Sequence, residues 1–153
     1  MIKQNDTRMR WAIQHYGCYY MSLLYLANHW TNVELSAELI NGGLYMMICK
    51  RGWMVSEIPL VDGGPIVHCW IADPVSILRW FGVVVGGVRK VGGDYVTRPG
   101  ELEVLFYKAP GGIGHFVVGD GKGNCAYDPW YSAEGGSRAV REGVLESKRV
   151  FAR

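Results

Sequence analysis

The rhythm of hydrophobic and polar positions changes about halfway along the chain. From Cys18 to His29, in CYYMSLLYLANH, apolar and aromatic side chains fall on nearly every face of a helical wheel, as in a helix buried on most sides. The next stretch, TNVELSAELINGGLYMMICKRG, places Val33, Leu35, Leu39 and Ile40 at rough helical spacing. Thr31 and Glu34 stand there as the two partners of a capping box, so a second helix is expected to start at this point. Gly42 and Gly43 are expected to break or kink it, and Gly52 to stop it after Lys50 and Arg51. A third helix is predicted in ADPVSILRWFG, with Asp73 as N-cap, Pro74 as first residue and Gly82 at the end. Beyond it the period shortens. VVVGGVRKV, LEVLFYK, HFVVGD, NCAYDPW and SKRVFAR are short, β-branched or aromatic runs divided by Gly, Pro, Asp or Asn. HFVVGDGKGNCAYDPW reads as two strands joined by a turn over residues 120–124. Helices first and strands second predict an α+β domain with an antiparallel sheet, not a βαβ fold.

No internal repeat or linker divides the 153 residues, so one domain with one core is expected. Hydrophobic residues make up 49% and charged residues 20%, a composition that folds. The net charge of +2 gives no electrostatic reason for a nucleic-acid or membrane partner. The segment MIKQNDTRMRWAIQ has no apolar core of signal-peptide type, and residues 16–27 are too short to span a bilayer. A cytoplasmic protein is therefore expected. Cys18, Cys49, Cys69 and Cys125 are widely spaced with no C-x-x-C pair, which favours free thiols. Cys49 and the adjacent His68-Cys69 lack the paired spacing of a zinc site, and no metal or cofactor is expected. His68 and Cys69 on an extended segment point to opposite faces and do not act together.

Three residues carry a chemical pattern. Cys18 opens the apolar helix, His115 begins a strand, and Asp128 ends the strand predicted to pair with it. A thiol attacks only as the thiolate, which a helix N-terminus and a nearby imidazolium both favour. A histidine takes the thiol proton and later gives one to the leaving group, while an acid on the next strand holds its tautomer. A tight hairpin brings His115 and Asp128 together; Cys18 arrives only through the tertiary fold. His15 and His29, flanking the helix, read as packing or surface residues, since no orienting acid follows either. Trp130 is a candidate for a cleft wall, being two residues past Asp128. GDGKGN joins two strands and lacks phosphate-loop spacing.

A glycine-cysteine opening a buried helix, followed far downstream by GHFVVGDGKGNCAYDPW (residues 114–130), resembles the papain-like cysteine peptidase superfamily. The likeness is to its small bacterial and phage branch, related to bacteriocin-processing (double-glycine leader) peptidases. It covers about residues 11–30 and 103–132 and leaves out the middle of the chain. The resemblance implies Cys18 as nucleophile, His115 as general base and acid, and Asp128 as orienting residue, with a peptide or protein substrate. It also implies an oxyanion hole built from the Cys18 amide and a glutamine shortly before it. Gln14 is that candidate, somewhat nearer the cysteine than the family's usual spacing. The chain is also shorter than typical papain-type enzymes, so walls of the substrate cleft are expected to be missing or supplied by a partner. Two alternatives accompany this expectation. One is a peptidoglycan amidase or endopeptidase of phage-lysis type. The other is a non-catalytic phage or mobile-element protein using the scaffold to bind a host protein. Oligomeric state is left open.

Overall fold

The computed structural model describes residues 1–55, 69–130, 132 and 136–152, without the side chain of Cys49. His68 lies outside the described residues. Among the described residues, five α-helices lead into and around an antiparallel sheet: α1 (Trp11–Tyr16), α2 (Cys18–Thr31), α3 (Ala37–Tyr45), α4 (Pro74–Trp80) and α5 (Arg138–Glu142). A wider π-type turn, Met46–Arg51, extends α3 and ends at Gly52, whose φ of 66° and amide bond to Met47 O close it. Seven strands among the same residues complete the order: β1 (Met54–Val55), β2 (Trp70–Ile71), β3 (Gly87–Gly92), β4 (Glu101–Lys108), β5 (Gly114–Gly119), β6 (Cys125–Tyr127) and β7 (Val144–Ala152). β1 and β2 form a small ladder of their own. The other five pair antiparallel in the order β3-β7-β4-β5-β6. The architecture is α+β, with N-terminal helices and a C-terminal antiparallel sheet.

Helix α2 is the central element. Tyr20, Met21, Leu23, Leu24 and Ala27 are fully buried on it, which the unbroken apolar run anticipates. They share one core with Val104, Val118 and Phe151 of the sheet. Leu105, Val117 and Val150 alternate with those strand positions and are buried on the opposite face of the sheet. α4 begins as expected: the Ser76 amide donates to Asp73 Oδ1 at 2.9 Å, and Pro74 takes the first helical position.

The capping box at Thr31 does not form. Thr31 Oγ1 donates back to Ala27 O at 2.7 Å, and Asn32 takes the left-handed conformation (φ 55°) that closes α2. Helix α3 starts later, with Ser36 Oγ accepting from the Leu39 amide at 3.2 Å. Gly42 and Gly43 lie inside α3, which continues to Tyr45 before it widens. The turn over residues 120–124 closes β5 and β6 as expected, the Asp120 amide donating to Asn124 O at 3.0 Å. Among the described residues no helix is long and apolar enough to cross a membrane.

Candidate active site

Cys18 is the first residue of α2, and the corner before it requires glycine. A Cβ at Gly17 would stand 2.6 Å from Ile13 O and 2.8 Å from Ile13 Cα, so a side chain there would push α1 and α2 apart. His115 enters β5 after Gly114, where a Cβ would meet the Phe106 ring at 2.5 Å. Two contacts dock the start of α2 against the start of β5. Ser22 Oγ sits 2.9 Å from Cys18 O and 3.3 Å from Phe116 O, within reach of either acceptor. The Tyr19 and Phe116 rings stack with centroids 4.4 Å apart. These are the residue after the cysteine and the residue after the histidine, so their stacking brings Cys18 and His115 together.

His115 and Asp128 are both buried, each 8% exposed. His115 Nε2 lies 2.7 Å from Asp128 Oδ1. The same carboxylate accepts from the Trp130 amide (2.9 Å, on Oδ1) and the Ser137 amide (2.7 Å, on Oδ2), so both oxygens are held. Burial opposes ionisation of Asp128, but the His115 and amide hydrogen bonds outweigh it and hold the carboxyl at about 2. Burial likewise works against a charged His115. The hydrogen bond to Asp128 and the neighbouring Cys18 side chain overcome it and raise the imidazole to about 9. With Nε2 engaged by Asp128, Nδ1 is the ring nitrogen left for the thiol.

Cys18 and His115 line a cleft of about 340 Å3, shared with Gln4, Ile113, Trp130 and Ser137. Trp130 forms a wall, as the sequence suggests. His15 is exposed, stacks on Trp11 at 4.3 Å and borders the same cleft. His29 stacks on Tyr25 at the far end of α2. Cys69 is buried and donates to Ala12 O at 3.6 Å. Burial pushes the Cys69 and Cys125 thiols up to about 11, which leaves them poor nucleophiles near neutral pH. Among the described residues no group of three or more His, Cys, Asp or Glu is placed to hold a metal ion.

The glutamine of the cleft is Gln4, not Gln14. Gln14 lies on α1 and turns its Nε2 back to Met9 O at 2.7 Å, away from the cleft lining. Gln4 is 2% exposed and gives one of its two Nε2 hydrogens to Gln14 O at 3.1 Å. Its Oε1 is buried and has no partner among the described residues. Its backbone amide donates to Pro129 O at 2.7 Å, which ties it to the loop that follows Asp128. Gln4 sits in a segment without periodicity, and the contacts that bring it to the cleft come from the far end of the chain. A polar residue wholly buried in a stretch of half-buried and exposed neighbours is the signal, and it shows only in the fold.

The model of DUF261, described as a protein of unknown function, matches residues 1–153, and the chain belongs to that family. No curated protein and no solved structure matches it.

Proposed function

We propose that this DUF261 protein is a cysteine-dependent amide hydrolase, most simply a peptidase, built on a papain-like scaffold. One observation carries the reading. A buried imidazole has Nε2 on a carboxylate, a thiol stands at the start of a 14-residue helix, and thiol and imidazole line one cleft. The order of parts, a nucleophile helix followed by a sheet bearing histidine and aspartate, agrees with it.

The chemistry runs through an acyl-enzyme. Cys18 Sγ, as thiolate, attacks the substrate carbonyl carbon, and the carbonyl oxygen becomes an oxyanion. The Cys18 backbone amide and the second Nε2 hydrogen of Gln4 are the donors assigned to that oxyanion. A single donor of this kind is worth about 100- to 1000-fold in kcat. The C–N bond breaks as His115 gives its Nδ1 proton to the leaving amine. Neutral His115 then takes a proton from water, whose oxygen attacks the thioester, and carboxylate and free Cys18 are released. Asp128 keeps the ring oriented throughout and stays ionised.

The test is a panel of peptides incubated with wild type and with Cys18→Ala. The expected result is cleavage by wild type, none by Cys18→Ala, and a covalent acyl adduct on Cys18 by mass spectrometry. Clearing of purified cell wall in a zymogram, without peptide cleavage, would move the reading to a peptidoglycan hydrolase. Cleavage that survives Cys18→Ala would overturn the mechanism.

A further inference from the structure

The segment Ile2-Lys3-Gln4 runs alongside Tyr127-Asp128-Pro129 and is tied to it residue by residue. Tyr127 Oη donates to Ile2 O at 3.1 Å, Lys3 Nζ donates to Asp128 O at 2.6 Å, and the Gln4 amide donates to Pro129 O at 2.7 Å. The middle tie is the strongest in kind, because a charged donor meets a main-chain carbonyl. Lys3 also lies over the Tyr127 ring, with Nζ 4.2 Å from its centroid. From the end of the same segment Gln4 reaches Gln14 O on the nucleophile side. One short strap thus spans from the loop bearing the acid to the corner bearing the thiol.

A long, flexible lysine is costly to hold in a half-buried position, since burial disfavours its charge and fixes its rotamers. Burial indeed lowers the Lys3 pKa, against the opposing pull of Asp128 and Cys125. Charged groups on the exposed surface have no need of such a site. Lys3 instead fixes the one backbone carbonyl whose residue carries the triad's acid.

We infer that Lys3 is a positioning residue of the Cys18-His115-Asp128 site: its ammonium, bonded to Asp128 O, sets the backbone from which the carboxylate meets His115 Nε2. The inference rests on the hydrolase reading. Lys3 touches no reacting atom and acts through Asp128 alone.

The experiment compares wild type, His115→Ala, Lys3→Met and Lys3→Arg by the pH dependence of Cys18 alkylation with iodoacetamide and by the NMR titration of His115. Lys3→Met keeps the apolar stem, and Lys3→Arg keeps charge and donor. Loss of positioning lowers the His115 titration in Lys3→Met by about one pH unit, which means about tenfold less thiolate–imidazolium pair near neutral pH. Lys3→Arg stays near wild type. On a cleaved peptide, kcat falls in Lys3→Met while KM holds. A role limited to charge gives the opposite sign, because removing a nearby cation makes His115 easier to protonate. A folded Lys3→Met with an unchanged or raised His115 titration overturns the inference. If Lys3→Met does not fold, Lys3→Gln is read against Lys3→Arg in the same way. Failure of the underlying reading looks different: wild type then alkylates no faster than His115→Ala, and the hydrolase assignment falls with the Lys3 assignment. A wide gap between those two, with Lys3→Met equal to wild type, removes Lys3 alone.

Discussion

Two buried pairs of a carboxylate and a cationic side chain stand on or beside the same sheet, and they are completed differently. Lys148 Nζ meets Glu103 Oε2 at 3.0 Å with both side chains almost wholly buried. Glu103 also accepts from Thr97 Oγ1 and from the Gly121 and Gly123 amides, the last two at 2.9 and 3.3 Å. Every one of these donors is internal, so the pair pins the β5–β6 turn to strands β4 and β7. The His115–Asp128 pair is equally well made on its acid side. Its cation is a titratable ring whose other nitrogen remains for a thiol at a cleft. Burial and pairing alone mark a strong structural contact. What marks chemistry is a pair completed on one side and open on the other.

The contrast can be broken by removing one group from each pair. Cys18→Ala is expected to abolish hydrolysis, a loss of about 1000-fold or more, measured on a cleaved peptide, while the thermal midpoint stays within a few degrees of wild type. Lys148→Met is expected to cost about 3–5 kcal/mol of stability, because it leaves Glu103 buried without its cation. Urea unfolding measures that loss, and the protein that remains folded should alkylate at Cys18 as wild type does. Gln4→Ala is expected to lower kcat by about 100-fold as an oxyanion donor is lost. Gln14→Ala, whose side chain serves Met9, is expected to change kcat by less than about threefold; steady-state rates of the two variants separate the glutamines.

The smallest effect is on pH. His115 titrates above its unfolded value of 6.5, so its contribution to stability is full below that value and is lost as pH rises through about 9. Asp128 titrates below its unfolded value of 3.8, so its contribution is full above that value and is lost as pH falls through about 2. Urea midpoints of wild type are expected to drop between neutral pH and pH values above about 9, and those of His115→Ala to drop less.

The sequence made the three residues of the candidate site legible, and it missed what holds them. Cys18, His115 and Asp128 each sit at the end of an element with a strong local pattern, so helix and hairpin signals alone placed them. Thr31 is the expected cap because Glu34 stands three residues after it, whereas Leu39 holds that place after Ser36, which caps α3 through its own hydroxyl alone. The Thr31 hydroxyl is drawn back into α2 by Ala27 O. Gln14 lost to Gln4 for a reason no local pattern holds: the Gly17 corner separates α1 from α2, and α1 turns Gln14 toward Met9. Lys3 and Gln4 gain their places from residues 127–129, about as far away as the chain allows. Such contacts follow from tertiary packing and leave no period behind.

The central claim is that Cys18 and His115 form a reactive pair, and per-thiol alkylation tests it most directly. Iodoacetamide is added near neutral pH, and each cysteine's rate is followed by mass spectrometry in wild type and in His115→Ala. The account predicts that Cys18 reacts at least about tenfold faster than Cys69 and Cys125, and that His115→Ala removes the difference. Equal rates for these three thiols in wild type, or a fast Cys18 that ignores the loss of His115, would contradict it.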